Sequence, residues 1–159
     1  MDARPLIRQV SAEETRPLRH HILRPGQTYE ETAYPGDDLP ATVHLGAFDG
    51  DRLVGIASLY REGRDGAAIP LKGPLGPRPG WRLRGMATDD AVRGAGFGGA
   101  LLAACVDHVA AAGGGELWCN ARMVAVGFYQ RAVFEILSDE FDVPGIGAHV
   151  VMARTVPAG

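Results

Sequence analysis

The clearest chemical feature of the chain is a glycine-rich run, Arg93-Gly94-Ala95-Gly96-Phe97-Gly98-Gly99. The run lies between a predicted strand and a predicted helix, so its backbone N–H groups can converge at a helix N-terminus and bind phosphate. Glycine lets a bulky anion approach the backbone, and the guanidinium of Arg93 adds a charged donor. These residue types in this order predict a turn that binds a pyrophosphate.

The same run also fits the dinucleotide fingerprint GxGxxG through Gly94, Gly96 and Gly99, which is typical of nicotinamide and flavin enzymes. In that fold the first glycine follows its strand directly, and an acidic residue ends the next strand. Here five residues separate Thr88 from Gly94, and the next predicted strand ends at Asn120, so the context disfavours a dehydrogenase. A third interpretation, glycines that serve only helix packing, leaves the backbone donors without a partner.

The bulk composition restricts the class of protein. A length of 159 residues predicts a single domain, and 46% hydrophobic with 22% charged residues is ordinary globular usage. The net charge of -3 disfavours a nucleic-acid partner. No stretch approaches the roughly 18 apolar residues of a membrane span, and residues 1–5 lack the apolar run of a signal peptide, so we expect a cytosolic protein without a membrane partner.

The two cysteines, Cys105 and Cys119, stand in neither a CxxC nor a Cys/His spacing. We therefore expect buried thiols and no metal site.

Hydrophobic patterns predict a mixed α/β domain without internal repeats. The predicted strands cover residues 6–10, 43–48, 53–60, 81–88, 116–120, 134–141 and 150–155. Helices are predicted from a capping box at Ser11 and Glu14 to about residue 23, over 98–112 and over 124–131. The Asp49-Gly50-Asp51 turn predicts an antiparallel hairpin. Residues 24–40 are predicted to be a loop or an irregular helix, and residues 62–80 a long loop.

The glycine-rich segment resembles the GNAT superfamily of acetyl-CoA-dependent N-acetyltransferases. That family's signature is Arg or Gln, two residues, Gly, one residue, then Gly or Ala, and Arg93, Gly96 and Gly98 fill it. The family's strand and acidic turn correspond to Met86-Ala87-Thr88-Asp89-Asp90, and its Leu-Leu pair to Leu101-Leu102. The resemblance implies that this turn holds the pyrophosphate of acetyl-CoA.

A second family block appears as Ala125-Val126-Gly127-Phe128-Tyr129, closed by Phe134. The ending 142–149 leading to Met152, together with Leu18-Arg19 and Asn120-Ala121-Arg122, resembles the ElaA-like branch. The resemblance spans roughly residues 5–156 and is strongest over 81–136. It implies one N-acetyltransferase domain over 1–159, with a splayed, mostly antiparallel mixed sheet of about six or seven strands flanked by helices.

The chain departs from the family pattern at two positions. Arg122 stands where the family often has a cofactor-contacting Asn, and Asn120 could substitute because residues two apart on a strand share a face. Val133 stands where the family often has Gly, and a β-branched residue adopts left-handed geometry only at a cost. We therefore expect the helix before Val133 to end differently.

The resemblance implies direct attack of an amine on the thioester carbonyl in a ternary complex. Tyr129 then corresponds to the proton donor for the leaving thiolate, since a phenol has an ordinary pKa of about 10. His149 is the first candidate for the general base and Glu140 the second. The coenzyme-binding residues expected from the two blocks are Met86, Ala87, Thr88, Arg93, Gly94, Ala95, Gly96, Phe97, Gly98, Gly99, Asn120, Arg122 and Phe128. The backbone of the first three would pair with the pantetheine arm, and an N–H there would face the oxyanion.

The acceptor is expected to be a small-molecule or peptide amine. Tyr34, His44 and the acidic loop 30–38 are candidates to line its site, and such a loop suits a cationic amine. Two questions stay open at this point. The chain could bind acyl-CoA as a sensor or interaction module without catalysis, given Arg122 and Val133, and it could act as a monomer or a homodimer.

Overall fold

The computed structural model describes residues 5–159, so the expectation for residues 1–5 lies outside the described residues except at Pro5. Its eight strands are β1 (Leu6–Val10), β2 (Val43–Asp49), β3 (Arg52–Tyr60), β4 (Gly80–Thr88), β5 (Gly115–Arg122), β6 (Glu135–Ile136), β7 (Phe141–Val143) and β8 (Gly147–Val156). Its α-helices are α1 (Ala12–Leu18), α2 (Phe97–Ala111) and α3 (Val126–Arg131). The predicted mixed α/β class is confirmed.

All strands join one mixed sheet of order β1-β2-β3-β4-β5-β8-β6, with β7 also paired to β8. The pairing of β4 with β5 is parallel, at Gly80 with Glu116, Trp81 with Leu117 and Arg82 with Trp118. The chain divides into two compact units, residues 5–60 with 83–105 and residues 61–82 with 106–159.

The first unit begins with the antiparallel strands β1, β2 and β3. The predicted capping box is present before α1: the Glu14 N–H donates to Ser11 Oγ at 3.1 Å, and the Ser11 N–H donates to Glu14 Oε1 at 3.0 Å. Helical structure continues to the expected residue 23 as a π-helical turn, Arg19–Leu23. The hairpin of β2 and β3 turns at Gly50, whose φ is 61°.

In the second unit, the single strand predicted over 134–141 is wrong, because it divides into β6 and β7. Both short strands pair with β8, but Ser138 between them uses its side chain where a strand would use its backbone. The Val151 N–H donates to Ser138 Oγ at 2.8 Å, and the Leu137 N–H donates to the Val151 carbonyl at 2.8 Å. This hydroxyl interrupts the backbone ladder and explains the eighth strand.

The expected ending of α3 is also wrong, because Val133 does adopt left-handed geometry, with a φ of 60°. The Phe134 N–H donates to the Tyr129 carbonyl at 3.1 Å, and the Val133 N–H donates to the Gln130 carbonyl at 3.0 Å. These are the two hydrogen bonds of a Schellman motif, which glycine usually closes. The Phe134 and Tyr129 rings, 5.3 Å apart, add the apolar contact of that motif. The helix ends as the family pattern does, with a strained valine in the glycine's place.

Residues 62–80 are a long segment held against β5 and β8. Ala67, Ile69 and Leu71 pack against a buried cluster of Trp118, Val151 and Ala153. The Trp118 indole N–H donates to the Glu62 carbonyl at 2.8 Å. A buried ion pair of Arg64 with Glu116, at 2.8 Å, also fastens the segment to β5.

No helix within residues 5–159 has the length and apolar composition needed to cross a membrane. Over the same range, no three His, Cys, Asp or Glu side chains come together as a metal site.

Candidate active site

The glycine-rich turn follows a 3-10 turn, Asp90–Val92, that Asp89 caps by accepting the Ala91 N–H at 2.9 Å. Gly94 and Gly96 both have left-handed backbone, with φ of 77° and 86°. Helix α2 begins directly after them, at Phe97. Glycine adopts this left-handed backbone without the steric cost that other residues meet, so these two positions let the chain turn tightly into the helix.

Several N–H groups of the turn lack an acceptor. The Ala95 N–H donates to the Val92 carbonyl at 3.2 Å, and the first helical bond runs from Ala100 to Gly96 at 3.0 Å. Among the described residues, no acceptor meets the N–H groups of Gly94, Gly96, Phe97, Gly98 and Gly99. A Cβ placed on Gly94, Gly96 or Gly99 would meet nothing within 4 Å. Free donors beneath open space fit a bound pyrophosphate.

The Arg93 side chain is 69% exposed and pairs with Asp90 Oδ1 at 2.9 Å. Such an exposed ion pair contributes only about 0–1 kcal/mol, so the guanidinium can exchange Asp90 for a phosphate at little cost.

Strand β4 carries the residues expected to meet the pantetheine arm. Ala87 is buried, whereas Met86 and Thr88 are half-buried. Gly85 precedes them with a left-handed φ of 65°. Glycine within a strand marks either a bulge or a close approach of another group to the backbone. We call residues 84–86 the Gly85 kink.

The expected acceptor loop is held by a buried cluster around Arg19. The fully buried guanidinium donates to both Asp37 carboxylate oxygens, at 2.7 and 3.0 Å. It also donates to Ser58 Oγ at 2.9 Å and to the Tyr60 hydroxyl at 3.2 Å. The Tyr60 hydroxyl in turn donates to Asp37 Oδ1 at 2.5 Å. The loop is therefore anchored to β3 by charge-assisted hydrogen bonds.

Burial alone would raise the pKa of Asp37, but hydrogen bonds from Arg19 and Tyr60 outweigh it and hold the pKa below its ordinary value. Burial and the hydrogen bond to Asp37 raise the pKa of Tyr60. The negative charge of Asp37 is thus neutralised by its ion pair with Arg19. Glu31 accepts the N–H of Thr28 at 3.2 Å and keeps its negative charge, so the loop loses only the charge of Asp37 towards an amine.

His44 is buried with both ring nitrogens occupied. Its Nε2 donates to the Asp37 carbonyl at 2.9 Å, so its Nδ1 accepts from Ser58 Oγ at 2.7 Å in the neutral ring. Tyr34 is also buried, and its backbone N–H donates to Asp37 Oδ2 at 2.8 Å. In this structure both residues belong to the Arg19 cluster.

Tyr129 lies on α3 and is buried against Phe128, whose ring centroid is 5.2 Å away. Its hydroxyl hydrogen-bonds to the buried Cys119 on β5. Burial raises the pKa of Cys119 to about 12, although the hydrogen bond from Tyr129 acts in the opposite direction. Cys119 is therefore a neutral thiol that cannot take the proton of the phenol at neutral pH.

Asn120 and Arg122 share a face of β5 as predicted, Asn120 exposed and Arg122 half-buried. Arg122 stands opposite His149 of β8, which in turn stands opposite Phe141 of β7. The structure thus brings Arg122 and His149 together. Glu140, just before β7, is exposed.

The buried ring of His149 stacks on Phe141 at 5.8 Å, and its Nδ1 lies 2.7 Å from the Gly147 carbonyl. A carbonyl only accepts, so Nδ1 carries the proton and the Nε2 of the neutral ring is an acceptor. This tautomer is the one that a general base needs.

Residues 7–156 match the family described as acetyltransferase (GNAT) domain. The chain belongs to the GNAT acetyltransferase family. It is 36% identical over 150 residues to the uncharacterized N-acetyltransferase YitI of Bacillus subtilis (strain 168), covering 94% of this chain and 95% of YitI. As a GNAT acetyltransferase, the protein is an acyltransferase.

Solved GNAT structures share its fold. Escherichia coli ElaA superposes with a TM-score of 0.73 at 16% identity, covering 95% of this chain and 99% of ElaA. An aminoglycoside 6'-N-acetyltransferase complexed with coenzyme A gives a TM-score of 0.69 at 15% identity, covering 95% of this chain and 97% of that one. The predicted GNAT-like sheet flanked by helices is confirmed, with eight strands instead of six or seven.

Sequence reasoning missed the Arg19 cluster and the bond of Tyr129 to Cys119. Leu18-Arg19 carried a signal only through the resemblance, while Ser58 and Tyr60 sit in an apolar run that predicts nothing but a strand. Gly85 within a predicted strand was a readable signal for the kink. Cys119 carried none.

Proposed function

We propose that the protein is an N-acetyltransferase that transfers an acetyl group from acetyl-CoA to a primary amine of a small molecule or peptide. The observation that carries the proposal is the set of N–H groups without acceptors over residues 94 and 96–99 of a GNAT chain, with open space over Gly94, Gly96 and Gly99. The complex of the similar aminoglycoside 6'-N-acetyltransferase with coenzyme A supports it. One domain over residues 1–159 would perform the reaction.

The two ends of the coenzyme would meet different parts of the chain. The turn from Arg93 to Gly99 would bind the pyrophosphate through backbone N–H groups and the Arg93 guanidinium. The backbone of residues 86–88 would pair with the pantetheine arm and present an N–H to the thioester oxygen. Asn120, Arg122 and Phe128 would supply further contacts to the coenzyme.

Transfer would proceed by direct attack in a ternary complex. The lone pair of the amine nitrogen forms a bond to the thioester carbon, the C–S bond breaks, and the electron pair leaves on the coenzyme sulfur. Tyr129 donates its hydroxyl proton to that thiolate, while His149 takes the excess proton of the amine at Nε2, directly or through a water molecule. Glu140 is the alternative base, and its exposure favours His149. Positioning the two substrates supplies most of the rate, up to about 7–11 kcal/mol.

Two measurements test the proposal. Isothermal titration should show binding of acetyl-CoA, whereas binding of NADH without acetyl-CoA would refute the coenzyme. Thiol release from acetyl-CoA with a panel of amines, polyamines, amino acids and peptides should then identify an acceptor. Coenzyme binding with no thiol release across such a panel would favour the sensor module instead. The cytosolic location and a homodimer stay predictions.

A further inference from the structure

Two guanidinium groups lie over the ring of Tyr34. The Cζ atom of Arg19 is 4.0 Å from the ring centroid, and that of Arg84 is 4.2 Å from it. Asp37 fixes the same residue through its backbone, since it accepts the Tyr34 N–H at 2.8 Å while Arg19 holds that carboxylate at 2.7 Å. The ring is therefore held in one place by cation–π contacts and by a buried ion pair.

The edge of this ring closes over the Gly85 kink. A Cβ at Gly85 would lie 3.3 Å from Tyr34 Cε2 and 3.5 Å from Arg19 Nε, so little space remains there. The φ of 65° also disfavours any other residue. Because glycine has the most backbone freedom of any residue, neighbouring side chains packed against Gly85 add to the restraint that strand β4 gives the kink. Tyr34 and Arg19 are these neighbours.

The hydroxyl of Tyr34 makes no hydrogen bond in this arrangement. It is buried and has no hydrogen-bond partner among the described residues. Tyr60 of the same cluster is the opposite case, because its hydroxyl bonds both Arg19 and Asp37. The contacts that position 34 makes in this cluster come from its ring and its backbone N–H.

We infer that Tyr34 is a positioning residue for acetyl transfer, whose ring holds the Gly85 kink so that the backbone of Met86 faces the thioester carbonyl. The inference rests on the proposed function, which puts that carbonyl at β4. It gives Tyr34 a role different from the predicted one of lining the acceptor site. A displacement of about 1 Å at a reacting group can cost roughly a hundredfold in rate, which gives the restraint its value.

The thioester carbonyl of bound acetyl-CoA has a 13C resonance that depends on its surroundings, so it can test the position of the Gly85 kink before an acceptor is known. We would record the 13C resonance of [1-13C]acetyl-CoA, free and bound at saturation, with the wild type and with Tyr34→Phe, Tyr34→Leu and Arg84→Met. The first substitution keeps the ring and removes the hydroxyl, the second removes the ring, and the third removes one guanidinium over it. Arg93→Ala is the matched control, since it acts on the pyrophosphate and not on the carbonyl.

In the wild type and in Tyr34→Phe, the bound resonance should be displaced from that of free acetyl-CoA by the same amount. Tyr34→Leu should lose at least half of the displacement, and Arg84→Met, at a half-buried position less demanding for folding, should lose a smaller part. Arg93→Ala should weaken binding by about tenfold or more and keep the displacement at saturation.

An unchanged displacement in folded Tyr34→Leu and Arg84→Met would overturn the inference. So would a loss in Tyr34→Phe equal to that in Tyr34→Leu, because the hydroxyl would then be the active group. A wild type that binds acetyl-CoA without any displacement refutes this inference alone, whereas a wild type that does not bind acetyl-CoA refutes the proposed function.

Discussion

The Phe134 N–H closes helix α3 on the carbonyl of Tyr129, at 3.1 Å, and this bond requires Val133 between them to take a left-handed backbone. The residue proposed as the proton donor thus sits in a helix whose end carries strain. A left-handed conformation costs an L-residue about 1–2 kcal/mol, and more for a β-branched one.

Val133→Gly should therefore stabilise the protein by about 1 kcal/mol, raising Tm by about 2–4 °C. Scanning calorimetry or thermal circular dichroism would measure the change. Val124→Gly is the matched control, since Val124 is 94% exposed in the 3-10 turn Met123–Ala125, without a positive φ, and glycine there should destabilise. Equal decreases of Tm in both variants would contradict the assignment of backbone strain to Val133.

Gly99→Val should weaken acetyl-CoA binding by about tenfold or more while changing Tm little, because Gly99 has no positive φ and only open space over it. Gly96→Val is the less clean choice, since its φ of 86° adds backbone strain to the lost affinity. Isothermal titration would measure both. Ala103→Val, at an exposed position further along α2, should bind normally, and full affinity in folded Gly99→Val would refute the placement of the pyrophosphate.

Tyr129→Phe should lower kcat by about a hundredfold or more with little change in coenzyme affinity, because it removes the proposed proton donor and keeps the packing. Thiol release with the acceptor found in the amine panel would measure it, with Tyr29→Phe as a control at an exposed position. His149→Gln should lower kcat/KM more near neutral pH, where most of the amine is protonated, than near about pH 10, where the free amine is abundant. Full turnover in Tyr129→Phe would assign the proton donor elsewhere.

Asp37→Asn should weaken the acid dependence of stability. The pKa of Asp37 is lower in the folded protein than its value of about 3.9 in an unfolded chain. Its stabilising contribution is therefore complete above about pH 5 and is lost as pH falls through the folded-state pKa. Urea unfolding from pH 7 to 3 should show a less stable variant at pH 7 with a shallower loss on acidification. Asp38→Asn, exposed next to it, should keep the wild-type slope.

Arg64→Met should destabilise the protein by about 3–5 kcal/mol at neutral pH, since it leaves the Glu116 carboxylate buried without its partner. Burial already raises the pKa of Glu116, so the loss should shrink as the pH falls and the carboxyl is protonated. The double variant Arg64→Met with Glu116→Leu should recover much of the stability. A double-mutant cycle by urea unfolding measures this coupling, and additive losses would count against a specific pair.

The sequence by itself determined the features that contiguous residues create. The capping box at Ser11 and Glu14, the hairpin at Gly50 and the glycine-rich turn each depend on residues a few positions apart, so local rules predicted all three. The motif blocks also predicted the family. Prediction was wrong at Val133, because the hydrogen bonds that end α3 require a left-handed backbone that local rules disfavour for valine. It was also wrong at Ser138, because its side-chain hydrogen bond to the Val151 N–H interrupts the strand, and local rules do not include such a bond.

Only the tertiary structure decided which buried polar residues form hydrogen bonds and ion pairs with one another. Arg19 joins Asp37 and Tyr60, which are 18 and 41 positions away in the chain, and Tyr129 on α3 meets Cys119 on β5. No local period encodes such pairs, because they form when burial removes water and each buried polar group must find a partner. The Asp37 carboxylate of the acidic loop is paired with Arg19 for the same reason, and the Arg19 guanidinium also lies over the Tyr34 ring.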